Sequence, residues 1–125
     1  MKNHLSAIIV VLVFLFFGVP QVFAFGDNVH ADDMLEFYAT ETLRLKVQLY
    51  FRGLGSGLVL WNGLLQSKGR DKLFCLPPDK ELHADDYIRL YKQEYIRNKE
   101  IWDALPVQPP GMILIEGLIA TFPCR

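Results

Sequence analysis

Charge of one sign is what this chain most plainly lacks. Its 125 residues carry 13 Lys and Arg against 14 Asp and Glu, with three histidines. Binding to nucleic acid by counterion release needs a basic face, and docking on an anionic membrane needs a polybasic patch; the balance supplies neither. Runs of alternating β-branched residues broken by tight turns are missing too, which leaves nothing from which to build a sheet. Cysteine is scarce, with only Cys75 and Cys124, so a single intramolecular pairing can form.

The first 24 residues are set apart from the rest. Lys2 precedes an unbroken apolar run at 7–17, Pro20 breaks it, and Val22-Phe23-Ala24 offers a cleavage site. The run is short for a bilayer span and has the layout of a secretory signal peptide. The expectation is export to the periplasm with 1–24 removed, leaving one domain at 25–125. Losing Lys2 leaves 12 basic residues against the same 14 acidic ones. In an oxidising compartment an even cysteine pair in a small chain predicts a disulfide. Closing a loop of about 50 residues removes unfolded-state entropy worth roughly 4 kcal/mol.

The remaining pattern is helical throughout. Met34, Leu35, Phe37 and Tyr38 stripe a first helix after Asp32 and Asp33, with a break expected at 40–42. Leu43, Val47, Tyr50, Leu54, Leu58, Trp61 and Leu65 recur at spacings of three and four along a long second helix. Phe51 and Leu64 widen that stripe. Gly53, Gly55 and Gly57 interrupt it, and Gly53 with Gly57 marks a face where a neighbouring helix could approach closely. A phosphate-binding loop does not fit these glycines, because no strand precedes them and no Gly-Lys-Ser or Gly-Lys-Thr follows. Ser67-Lys68-Gly69 signals the helix end. A third helix follows Pro77-Pro78, with Ala84, Tyr87, Ile88, Tyr91 and Tyr95 on its apolar side. Ile101 and Trp102 are expected to fold back on the core. Pro110 is placed to begin a fourth helix over 111–122, apolar almost all round, which predicts a helix wrapped by its neighbours. The expected architecture is an all-α bundle of about four helices closed by one disulfide, with the fourth helix as its core.

Candidate chemistry is sparse. His30-Ala31-Asp32-Asp33 and His83-Ala84-Asp85-Asp86 are identical strings. They could offer nitrogen and oxygen ligands to a divalent metal, or simply start two helices with aspartates at the positive end of the dipole. Structural metal sites use fuller sets of Cys and His, so helix starts are preferred and no metal or other cofactor is expected. Beyond the signal only Ser56 and Ser67 could act as serine nucleophiles, and neither lies in an elbow motif. These residues point away from an enzyme and towards a binding protein.

Tyr50-Phe51-Arg52-Gly53 in a long helix, Phe74-Cys75-Leu76-Pro77-Pro78, a helix with Tyr91 and Tyr95, and the terminal Leu118 and Phe122-Pro123-Cys124 together carry a resemblance. From about Leu43 onward the chain resembles the Rap/Tai immunity proteins, periplasmic partners of type VI secretion amidase effectors. The resemblance implies a small, exported, helical, disulfide-bonded and commonly dimeric protein. It would occlude the cleft of a peptidoglycan-cleaving amidase, protecting the producing cell and its siblings. By the same resemblance Cys75 and Cys124 match the bonded pair and Gly53 matches a helix-packing glycine. A proline-rich loop fixed between cross-linked helices suits insertion into a cleft, since its order is already established before docking. Val107, Gln108 and Pro109 are the candidate plug, with Asp79, Glu81, Asp85 and Asp86 as an acidic rim around it. Two other readings stand beside this one: a periplasmic helical chaperone of acid stress, and a small hydrolase.

Overall fold

A computed structural model describes residues 29–124. The expected signal at 1–24 lies outside the described residues. Among the described residues five helices follow one another: α1 (Ala31–Ala39), α2 (Glu41–Ser67), α3 (Ala84–Arg97), α4 (Lys99–Asp103) and α5 (Pro110–Thr121). The fold is all-α, and no strand occurs among the described residues.

The predicted break between the first two helices is a single residue, Thr40. Its N–H and Oγ1 both donate to the carbonyl of Glu36, closing α1, while its own carbonyl accepts from Leu43 and Arg44, opening α2. Extended backbone at Thr40 turns α2 back along α1. At the other end of α2, Gly69 takes φ +69°, a conformation glycine adopts without a Cβ clash. There the N–H of Arg70 reaches the carbonyl of Leu65 and that of Gly69 reaches Gln66, satisfying carbonyls that α2 leaves unpaired.

The molecule is built around α3. Its side chains Tyr87, Ile88, Leu90, Tyr91 and Tyr95 are all buried, and α2 and α5 pack on it from two sides. The Phe51 ring of α2 meets Tyr91 edge-on with centroids 4.9 Å apart. On the other side Gly117 of α5 lies so close to α3 that an added Cβ would come 2.9 Å from the Leu90 carbonyl oxygen. The expectation that the last helix is the wrapped core is therefore corrected. Only Ile113, Leu114, Gly117 and Leu118 of α5 are buried, while Met112 and Glu116 face solvent. A helix needs only one covered face, and α3 covers that of α5. Trp102 folds onto the core as expected, but Ile101 beside it points outward.

The buried side of α2 runs through Val47, Phe51, Gly55 and Asn62. Gly55, not Gly53 or Gly57, is the packing glycine: an added Cβ there would lie 2.5 Å from the Tyr87 ring. At Gly53 and Gly57 an added Cβ would meet nothing within 4 Å. The assignment of those two glycines to a helix contact within the chain is thus corrected.

Asn62 has a role that the hydrophobic pattern did not reveal. Its Nδ2 donates to the Phe74 carbonyl at 2.7 Å and its Oδ1 accepts from the Leu73 N–H at 2.8 Å. One buried amide thus fastens the irregular segment ahead of Cys75 to α2. Asn62→Ala should lower stability by about 2–3 kcal/mol, since buried backbone groups lose their partners. Urea unfolding will show this as a lower midpoint; an unchanged midpoint would rule out the clamp.

Cys75 and Cys124 are joined, with Cα atoms 4.9 Å apart across 49 positions of sequence. The Cys75 N–H also donates to the Phe122 carbonyl at 2.8 Å, so the closure is seated on a backbone hydrogen bond. Helices α3, α4 and α5 lie inside this covalent loop.

Candidate functional site

The two His-Ala-Asp-Asp strings occupy equivalent places. His30 and His83 are the N-caps of α1 and α3, and in each case the cap N–H donates to the aspartate three residues on, Asp33 or Asp86, at 3.1 Å. A carboxylate there satisfies a backbone donor and sits at the positive end of the helix dipole. That hydrogen bond, reinforced by Arg89, holds the Asp86 carboxyl below the usual carboxylate range. The remaining aspartates of the strings point elsewhere. Asp32 meets Lys99, and Asp85 accepts from Tyr38 and Gln48. Among the described residues no three His, Cys, Asp or Glu side chains group to hold a metal ion.

The loop at 104–109 is held at both ends. Ahead of it, α4 is locked by Lys99, whose ammonium donates to Tyr95 Oη and Asp103 Oδ2, each at 2.7 Å, and to Asp32 Oδ2 at 3.3 Å. Tyr95 in turn donates to Asp103 Oδ1 at 2.8 Å. These contacts join the end of α3, α4 and the start of α1. Behind the loop, Pro109 is the N-cap of α5 and Pro110 its first residue. Between them Gln108 turns inward. It is 6% exposed, and its Oε1 accepts the Ala31 N–H at 2.9 Å, one of the donors left free at the start of α1.

The expected plug is therefore redrawn. Gln108 is the anchor of the loop and not part of its tip, and Pro109 is partly buried at a helix cap. What faces solvent is Leu105, Pro106 and Val107, with Val107 48% exposed. Ile101 on α4 adds a further exposed apolar side chain at this end; with Ile96 it lines a shallow hollow of about 600 Å³. Leu105, Pro106 and Ile101 are the members that sequence reasoning missed. The run from Leu105 to Pro109 held the signal, but not which side chains turn out.

The acidic rim is also corrected, because it lies at the wrong end. Asp85 meets Tyr38 near the end of α1, whereas Gln108 meets its beginning. Asp85 and Asp86 begin α3, while the loop follows α4 beyond its other end, about 20 Å away along a helix of that length. Glu81 and Asp85 instead line a separate groove of about 480 Å³ against Leu45, Leu49 and Arg52 of α2. Asp79 is exposed and lines neither feature.

The Lys99 lock has a pH signature. Asp103 is held below the usual carboxylate range, first by Lys99 and then by Tyr95, and Lys99 is pushed up chiefly by Asp103. A depressed folded carboxyl contributes stability that is complete above about pH 4 and is lost as pH falls through the folded value. For Lys99 the contribution is complete below about pH 10 and is lost as pH rises through its raised folded value. The urea midpoint should therefore fall on acidification, with Asp103→Asn flattening that limb. An identical acid limb in the variant would reject the assignment.

In chemical terms the arrangement is suited to binding: a braced loop with an apolar tip at one end, and a mixed apolar and charged groove at the other. Comparison with protein-family models, with curated proteins and with solved structures finds no match to this chain.

Proposed function

We propose that this chain is a periplasmic immunity protein that binds a type VI secretion peptidoglycan amidase and occludes its cleft with the Leu105–Pro106–Val107 tip. The observation that carries the reading is the bracing of that tip. A loop fixed by Gln108 on one side and the Lys99 lock on the other loses little conformational freedom on docking, so its apolar contacts are retained as affinity. The disulfide supports the reading in a different way, since a bond of this kind persists outside the reducing cytoplasm. The sequence resemblance supplies the class of enzyme, and the export expected from 1–24 supplies the compartment.

The test is protection. Type VI amidases directed to the periplasm of a host cell should lyse it, and co-exported wild-type chain should prevent lysis for its cognate enzyme. Leu105→Asp with Val107→Asp should abolish protection and weaken binding by at least about 100-fold, because carboxylates would be buried without partners. Far-UV dichroism should stay unchanged, as both side chains face solvent. Full protection by this double variant would sink the occlusion mechanism. No protection by the wild type against any amidase of the class would sink the assignment itself.

A further inference from the structure

The even charge balance of the whole chain conceals an uneven arrangement. From Thr42 to Arg70, a stretch that takes in all but the first residue of α2, there are five basic residues and no acidic one. The rest of 25–125 holds seven basic residues against 14 acidic ones. One long helix is thus the cationic part of an otherwise acidic molecule. That corrects the expectation, drawn from the balance alone, that the chain lacks a basic patch for a membrane. The outer side of α2 is also bare. With nine residues against 27, α1 shields no more than its first third. Along the side opposite Phe51 and Gly55 stand Leu45, Leu49, Leu60 and Leu64, each half exposed or more, and Trp61 adds a half-exposed ring at one edge. A surface helix normally turns charge outward; this one turns leucine and tryptophan outward among basic residues.

We infer that this side of α2 seats the protein on a bilayer of anionic phospholipid, with the helix lying in the plane of the interface. Apolar and aromatic side chains set among Lys and Arg are what a helix resting on a membrane surface needs. At about 100° per residue, Leu60, Leu64 and Trp61 fall within an arc of about 100°. Gly53 and Gly57 share that arc, and nothing lies within 4 Å of a Cβ built at either. Three protruding side chains beside low glycine backbone can sink among the acyl chains while the helix lies close to the headgroups. The exposed Lys46 lies on the same arc, the exposed Arg52 flanks it, and the exposed Lys68 and Arg70 follow at its end. Such long side chains carry their charge past an apolar stem to the phosphates. The Trp61 indole, apolar with one N–H, suits the same depth.

Shape and charge both favour this occupant. The outer side of a helix is a ridge, and a fluid interface moulds to a ridge without a matching groove. No helix among the described residues is long and apolar enough to cross a membrane, so the contact is peripheral. Glu81 and Asp85 stand across a groove from Leu45 and Leu49 and are repelled by anionic lipid, which places the contact over the stretch after Arg52. Asp71 is the one acidic residue beside that stretch in sequence. The field that draws α2 in turns the acidic remainder of the molecule away. The loop at 104–109 is held by α1 and α4, so this contact is separate from it.

Vesicle flotation of the exported, oxidised chain, without 1–24, tests the proposal. Vesicles of phosphatidylglycerol and phosphatidylcholine should bind the chain at least about 10-fold more tightly than vesicles of phosphatidylcholine alone, and salt should release it. Trp61 reports the contact. Trp102 is already buried, so a blue shift of emission on adding anionic vesicles should arise from Trp61 and vanish in Trp61→Phe. Lys68→Gln with Arg70→Gln, and separately Leu60→Gln with Leu64→Gln, should each weaken vesicle binding at least about 10-fold. All four side chains are exposed, so the helical spectrum should persist. No binding to anionic vesicles, or equal binding to neutral ones, would overturn the proposal. So would a blue shift produced without lipid, by concentrating the chain or by adding polyglutamate, since the face would then belong to a second copy or to an acidic protein.

Discussion

Gly55→Ala should lower the free energy of unfolding by about 3 kcal/mol, while Gly53→Ala and Gly57→Ala should each raise it by about 0.5–1 kcal/mol. The same substitution has opposite signs two residues apart because the helix turns a different side at each. A Cβ at Gly55 would come 2.5 Å from three carbons of the Tyr87 ring. That ring is 3% exposed and lies where α2 and α3 pack, so it has no free volume into which to swing. Either α2 and α3 separate or the ring leaves its place, and both disturb the contact of Phe51 with Tyr91. The overpacking cost outweighs the helix propensity that alanine brings. At Gly53 and Gly57 nothing opposes the gain. Dilute samples, in which self-association is negligible, should give a urea midpoint lower than wild type for the first variant and higher for the other two. Equal midpoints for all three would refute the packing on which this account of α2 rests.

The different surroundings of these glycines also show how far the sequence could be read. The helices, the break at Thr40, the two helix starts at His30 and His83 and the disulfide each follow from local chemistry: a β-region residue between two apolar stripes, aspartates in the first turn of a helix, a lone pair of cysteines. The facing of α2 does not. Its apolar stripe through Val47, Leu54 and Leu58 is centred roughly 60° from the side that is buried, less than one residue's rotation. Two things shift the centre. Leu45, Leu49, Leu60 and Leu64 add hydrophobicity on the bare side, and the residues at the true contact include Gly55 and Asn62, which a hydrophobic pattern does not count. Close approach and a buried amide clamp are expressed through what a residue permits or binds, not through its apolarity.

The loop illustrates a second limit. Three prolines marked the stretch from Leu105 to Pro110 as a stiff loop, and that much is local. Which side chains point out depends on the Ala31 N–H, 77 residues away, which captures Gln108 and turns it inward. An orphan donor at a helix start must find an acceptor, but the sequence does not say which one. The acidic residues fail as a rim for a related reason. Asp85 and Asp86 serve the beginning of α3, and a helix carries its beginning away from whatever follows its end.

Replacing Cys75 and Cys124 together with serine should lower stability by about 4 kcal/mol, a large part of what a chain of this size normally has. The effect lies mainly in the unfolded chain, where the bond restricts the 49-position loop that holds α3, α4 and α5. The native contacts around it are otherwise kept, since the Cys75 N–H still reaches Phe122 and Asn62 still holds Phe74. Two observables follow. The urea midpoint should fall, and the slope of the transition should steepen, because an unrestricted unfolded chain exposes more surface. A midpoint close to wild type would mean that packing on α3 alone holds the last helix. Partner binding should respond less than stability as long as the variant is folded, because the loop is fixed by Gln108 on α1 and Lys99 at α4, neither of which involves the cysteines. The bond therefore governs how much of the chain is folded, and the hydrogen bonds around 104–109 govern what the folded chain presents. Under the immunity role proposed above, titrating reductant while following helicity and amidase protection together separates the two: protection should decline only in step with unfolding. Loss of protection from a chain that is still helical would place the disulfide in the binding surface itself.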